Sequence, residues 1–131
     1  MKKIMMKEKK IQTLFARIEE LLHTHHELLA DEKLDREKLA KLLSTNTTYL
    51  HSAIRQCADT AVNGYLNRIH VQEIGKRLQE SPGSSPSFEI LRAEYGFSTY
   101  TTFYRTFRSE FGMSPTEYLD RAAQESLKNI L

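Results

Sequence analysis

The chain has 131 residues and a single cysteine, Cys57. That excludes an internal disulfide framework and any cysteine-based zinc knuckle, and it fits a reducing compartment. No proline precedes Pro82 and turn-forming pairs are sparse, so the chain reads as mostly helical. No stretch approaches the roughly 18 apolar residues of a membrane span. Met1 to Lys10 is basic but lacks the apolar stretch of a secretory signal. Strand-like alternation persists over no more than four residues, so the expected fold class is all-α. Glycine-rich phosphate loops, paired carboxylates and nucleophile elbows are all missing, and neither an enzyme nor a cofactor is expected.

What is present is ordinary globular composition, 40% apolar and 27% charged, enough for one compact domain or two very small ones. The net charge is only +2, but five lysines against Glu8 put +4 into the first ten residues. The remainder therefore sums to −2. A short basic tail of this kind reads as a solvated, mobile end. Any nucleic-acid surface must come from basic groups gathered on one face.

Ile11, Leu14, Phe15, Ile18, Leu21, Leu22, His25 and Leu29 recur at helical steps, one apolar stripe of a long opening helix broken at Ala30 to Leu34. Asp35 reads as an N-cap leading into Leu39, Leu42 and Leu43. Asn46 or Thr45 then caps a helix whose inner face is Leu50, Ala53 and Ile54. A longer segment opens at Thr60 and carries Gly75, a residue unfavourable inside a helix. Ser81 to Ser87 is a linker, followed by a short helix near Phe88 to Glu94 and another over Thr99 to Phe111. Ser114, Pro115 and Glu117 have capping-box spacing for a last helix running to about Leu127.

Two stretches echo each other. Leu39 to Gln56 and Leu91 to Ser109 align as short helix, tight turn and second helix, with one more residue around the second turn. Leu50 falls opposite Phe103, Ile54 opposite Phe107 and Arg55 opposite Arg108. That is the layout of helix-turn-helix units, in which a first helix supports a second that lies in the DNA major groove. Phe103 and Phe107 are expected in the core.

Gly96-Phe97-Ser98, then Phe103, Arg105, Phe107-Arg108, Phe111 to Pro115 and Tyr118 resemble the C-terminal signature of the AraC/XylS family of bacterial transcription regulators. Tyr65-Leu66-Asn67 is similar to the start of that family's bridging helix. The resemblance implies a domain of about seven helices with two helix-turn-helix units. Its segments are a basic tail (1–10), a first subdomain (11–59), a bridging helix (60–80), the linker (81–87) and a second subdomain (88–131). The chain departs from the family pattern at four points. Ser44 and Asp59 stand where glycines are usual, Arg92 where an alanine is usual, and His70 where a basic residue is usual.

The resemblance places Thr48, His51 and Ser52 where family members touch base edges, and short hydroxyl groups there imply loose readout. On the second recognition helix the outward residues Tyr100, Thr101, Tyr104 and Arg105 are the base-reading candidates. Arg105 leads, because a guanidinium pairs bidentately with guanine. Lys41, Arg55 and Arg108, together with the capping amides of both units, are the phosphate candidates. His23, His25 and His26 contain no i, i+4 pair, so no metal site is expected. Cys57 reads as a buried or half-buried structural thiol.

The implied partners are double-stranded DNA, RNA polymerase and an effector or sensor domain outside this chain, with no small-molecule site within it. The implied setting is the bacterial cytoplasm, either as a stand-alone regulator or as the cytoplasmic piece of a membrane-anchored sensor. The alternative is a helical interaction or dimerisation module that docks through the stripe of Ile11 to Leu29.

Overall fold

The computed structural model describes residues 2–29 and 34–130. Among them are eight α-helices and one 3-10 turn: α1 (Lys2–Thr24), α2 (His26–Leu29), α3 (Arg36–Leu42), α4 (Thr47–Ala58), α5 (Val62–Glu80), the 3-10 turn (Pro82–Ser84), α6 (Phe88–Glu94), α7 (Tyr100–Phe111) and α8 (Pro115–Ile130). The described residues contain no strand, and the fold is all-α. The chain forms two compact units, residues 1–66 and 67–131, which divide within α5.

In the first unit α1 packs on α4. Ile11, Leu14, Ile18 and Leu22 form its buried row, and α4 supplies Leu50, Ala53 and Ile54, all fully buried. Each such aliphatic side chain contributes roughly 1.5–3 kcal/mol on burial. Leu39, Ala40 and Leu43 of the α3 segment complete this core, with the Phe15 ring 5.7 Å from Tyr65. Asp35 caps α3 by accepting from the Lys38 amide at 2.8 Å, and Asn46, not Thr45, caps α4 by accepting from the Tyr49 amide at 2.8 Å.

Several expectations need correcting. The basic segment is not a loose tail: from Lys2 onward it is the first part of α1. Lysine, methionine and glutamate are good helix formers, and nothing there breaks the helix. The stripe stops early. α1 ends at Thr24, and His25, expected at the edge of the core, is exposed outside any helix, its Nδ1 3.1 Å from Glu27. The extra turn α2 follows from that break. The expected interruption at Ala30 to Leu34 lies outside the described residues except for Leu34, which is buried. Cys57 is exposed.

In the second unit α7 lays Phe103 and Phe107 into the core, both with no exposed surface. A chain of ring contacts runs through them: Phe97 to Phe103 at 5.6 Å, Phe103 to Phe107 at 5.9 Å and Phe107 to Phe111 at 4.6 Å. Tyr118 of α8 closes it, 5.3 Å from Phe107 and 4.7 Å from Phe111. Gly75 has its explanation here. A Cβ on that residue would lie 2.6 Å from Cζ of Phe111, so the helix accepts a poor helix former in order to seat an aromatic ring. The Tyr118 hydroxyl donates to the Gly75 carbonyl at 3.3 Å. Ser114 caps α8 as expected, accepting from the Glu117 amide at 3.2 Å, but the helix continues past Leu127 to Ile130.

Candidate nucleic-acid interface

The two helix-turn-helix turns have one backbone design. In the first, the Ser44 amide donates to the Lys41 carbonyl and Thr45 to Ala40; in the second, Gly96 donates to Ala93 and Phe97 to Arg92. Each turn needs a left-handed residue. Gly96 adopts φ 75°, and Ser44, despite its Cβ, adopts φ 55°. The recognition helices end alike, on Gly112 at φ 72° and Asp59 at φ 53°. The bonded turns lie 52 positions apart, while the N-caps Asn46 and Thr99 lie 53 apart. The additional residue therefore sits between the turn and the second N-cap.

A guanidinium steadies each turn, from a different source. Arg17 of α1 donates through Nη2 to the Leu43 carbonyl at 2.9 Å. Arg92, on the first helix of its own unit, donates through Nη1 to the Phe97 carbonyl at 2.6 Å and pairs with Glu89. The arginine in place of alanine thus belongs to the turn. Neither guanidinium role was evident in the sequence, because both bonds go to backbone.

With the inner faces fixed, the outer faces follow. On α4, Thr48, His51 and Arg55 are exposed and Ser52 is half-buried. Lys41 of α3 is exposed beside them in sequence. On α7, Tyr100, Thr101, Arg105 and Arg108 are exposed and Tyr104 is half-buried. Arg105 follows Phe103 by two residues, about 200° around the helix from a fully buried ring. It has no carboxylate partner among the described residues. Arg108 donates through Nη1 to the Tyr104 hydroxyl at 3.5 Å, and the Tyr100 and Tyr104 rings lie 6.5 Å apart. Glu110, a conceivable partner for Arg108, is engaged elsewhere, accepting from Gln72 at 2.6 Å and lying 4.0 Å from Arg68.

The capping amides are only partly available. The Thr102 amide donates to its own cap, Thr99 Oγ1, at 3.2 Å, as the Tyr49 amide does to Asn46. The earlier amides of α4 and α7 remain for a phosphate. No group of three or more metal-ligating side chains occurs among the described residues, and no helix there is long and apolar enough to cross a membrane.

His70 lies on the α5 side of the second core. It is 5% exposed, and neither ring nitrogen has a hydrogen-bond partner. Tyr95 and Phe97, on either side of Gly96, stack around it with centroids at 5.9 and 6.0 Å. Burial disfavours the charged ring and pushes its pKa down to about 4. Arg77 bonds Glu94 at 2.9 Å and the Tyr95 hydroxyl at 3.4 Å, tying α5 to the end of α6.

Comparison with known proteins agrees with this geometry. A protein of unknown function from Listeria innocua superposes with a TM-score of 0.60 at 21% identity, covering 79% of this chain and 94% of its own. The C-terminal domain of AraT, a response regulator from Geobacillus stearothermophilus, gives 0.58 at 19%, covering 82% and 84%. A DNA-binding transcriptional dual regulator from Escherichia coli K-12 gives 0.61 at 21%, covering 85% and 93%. No curated protein sequence matches the chain. The helix-turn-helix domain family matches residues 39–121, a span that takes in both turns and both recognition helices, and the chain belongs to this AraC-type family of DNA-binding transcription regulators.

Proposed function

We propose that the chain binds DNA sequence-specifically, with α4 and α7 each entering the major groove. The observation that carries this reading is the outer face of α7. Arg105 stands unpaired opposite a fully buried Phe103, flanked by Thr101 and Tyr104, while Arg108 sits one turn nearer the C-terminal end. A bare guanidinium in mid-helix suits guanine O6 and N7, and one near the helix end suits the backbone. Thr48, His51 and Ser52 offer shorter, less discriminating groups, so the first unit reads more loosely. Lys41, Arg55 and Arg108 supply phosphate contacts, and with a few neighbours they set a slope of log K against log salt of roughly −4 to −6.

The interaction-module alternative loses its main support, because Ile11, Leu14, Ile18 and Leu22 are already buried within the first unit. RNA polymerase and a sensor domain remain partners proposed by family analogy.

The test compares two arginines of one helix on a selected duplex and on random duplex. Arg105→Ala is expected to weaken the selected site by about 10- to 100-fold, leave random DNA nearly unchanged and flatten selection at one base pair. Arg108→Ala is expected to weaken both duplexes equally and to make the salt slope shallower by about one. Equal weakening of both duplexes by Arg105→Ala removes its base-reading role.

A further inference from the structure

A crevice in the first unit runs between α1 and α4. One wall is α1, where Lys7, Lys10, Leu14 and Arg17 recur at steps of three, four and three residues and so share a face. The other is α4, with Tyr49, Ser52 and Gln56 at helical steps and Thr45 leading into it. Among the described residues, four cations line the crevice, Lys7, Lys9, Lys10 and Arg17, and no carboxylate does. Lys7, Lys9 and Lys10 are exposed, without ion-pair partners among the described residues. Glu8, the acid among them in sequence, is not part of the lining.

What gives this wall a partner is its position. Thr48 and Ser52, two of the base-reading candidates, line the same crevice. Any duplex that admits α4 brings its backbone to the rim of that helix, at one negative charge per about 1.7 Å of axis. From Lys7 to Arg17, α1 rises about 15 Å, a length that meets several phosphates of one strand. Arg17 is also bonded to the Leu43 carbonyl at the turn before α4, so the wall and the recognition helix are held in one unit.

We infer that this face of α1 is a phosphate-binding surface: Lys7, Lys10 and Arg17 hold the backbone of the strand that flanks the groove entered by α4. The inference rests on the DNA-binding reading of α4 and adds a second contact surface to it. The contacts carry no sequence information. Ammonium groups on flexible stems act as point charges, and they strengthen binding to any duplex equally.

The test uses the full chain, the double variant Lys7→Gln/Lys10→Gln and, as a control, Lys128→Gln on α8. Affinity for a random duplex and for a duplex selected by the wild type is measured across a salt series. The double variant is expected to bind both duplexes more weakly by the same factor, at least about 10-fold near 0.1 M salt. Its slope should be shallower by about two, with its thermal melt unchanged. Ethylation of phosphates beside the α4 half-site is expected to interfere with wild-type binding and much less with the variant. If the double variant keeps wild-type affinity and slope while Arg108→Ala loses both, DNA binding stands and the α1 surface is overturned. If the wild type itself shows a slope near zero, the DNA reading and this surface fall together.

Discussion

Replacing His70 should remove one identifiable source of pH-dependent stability. The buried ring is neutral in the folded state, with a pKa pushed down to about 4 from the ordinary 6.5. The unfolded chain therefore takes up a proton on His70 at higher pH than the folded chain does. Stability from this residue is complete above pH 6.5 and is lost as pH falls from 6.5 toward 4. Between pH 7 and 5 the loss is about 2 kcal/mol, and by pH 4 about 3 kcal/mol. For a unit of this size that lowers Tm by roughly 10 °C at pH 5. His70→Leu keeps much of the volume beside Tyr95 and Phe97 and removes two nitrogens that have no partner. It is expected to be at least as stable as wild type at pH 7, because an orphaned buried polar group is costly. Between pH 7 and 5 its Tm should fall far less. Calorimetry of the two proteins side by side is the assay, with NMR of the His70 ring showing the neutral form down to pH 5. Parallel Tm curves for wild type and variant would refute the reasoning. So would a large loss for His70→Leu at pH 7, which would mean that the ring has a partner.

Three further outcomes follow from the packing. Ser44→Gly and Asp59→Gly each relieve a left-handed residue, and the second also removes a negative charge from the C-terminal end of α4; each should stabilise by about 1 kcal/mol in denaturant melts. Gly75→Ala should destabilise by about 1–3 kcal/mol through its collision with Phe111, although helix propensity alone predicts a gain of about 1; Gly83→Ala, with open space around it, should be nearly neutral. Phe107→Ala should cost about 3–5 kcal/mol and lower Tm sharply, and a wild-type melt would show that the register assigned to α7 is wrong.

The inner faces were legible because helical periodicity and burial are the same fact seen twice. Leu50, Ile54, Phe103 and Phe107 stand four apart in pairs, and all four are fully buried. The caps at Asp35, Asn46 and Ser114 were legible because each is a local bond reaching three residues on; Thr99, read as the first residue of its helix, caps α7 in the same way. What was not legible depends on neighbours distant in sequence. Gly75 looked like a weakness of α5 until Phe111 was placed against it. Cys57 follows Ile54 by three residues and so falls near the apolar row, yet that row runs out of cover in the last turn of α4. His70 stands four residues from Leu66 and from Ile74, so the period already aligned it with the core. Its side chain type argued for the surface, and the period won.

The two units show how one turn geometry is reached by different chemistry. Gly96 adopts the left-handed conformation freely, and its turn is steadied by Arg92 from the adjoining helix. Ser44 adopts it under strain, and the stabilising guanidinium comes from Arg17 on α1, twenty-six residues before the Leu43 carbonyl that it bonds. The first turn therefore takes its guanidinium from α1, whereas the second takes its own from the adjoining helix and rests against α5 through Tyr95 and Phe97. Loss of the Arg17 contact should loosen the approach to α4, whereas loss of Arg92 acts only on the approach to α7. The same helix that supports the first turn also carries the basic wall beside α4. Geometry and charge in the first unit thus converge on α1, which supports the turn before α4 and lines the crevice beside the α4 face proposed to meet DNA.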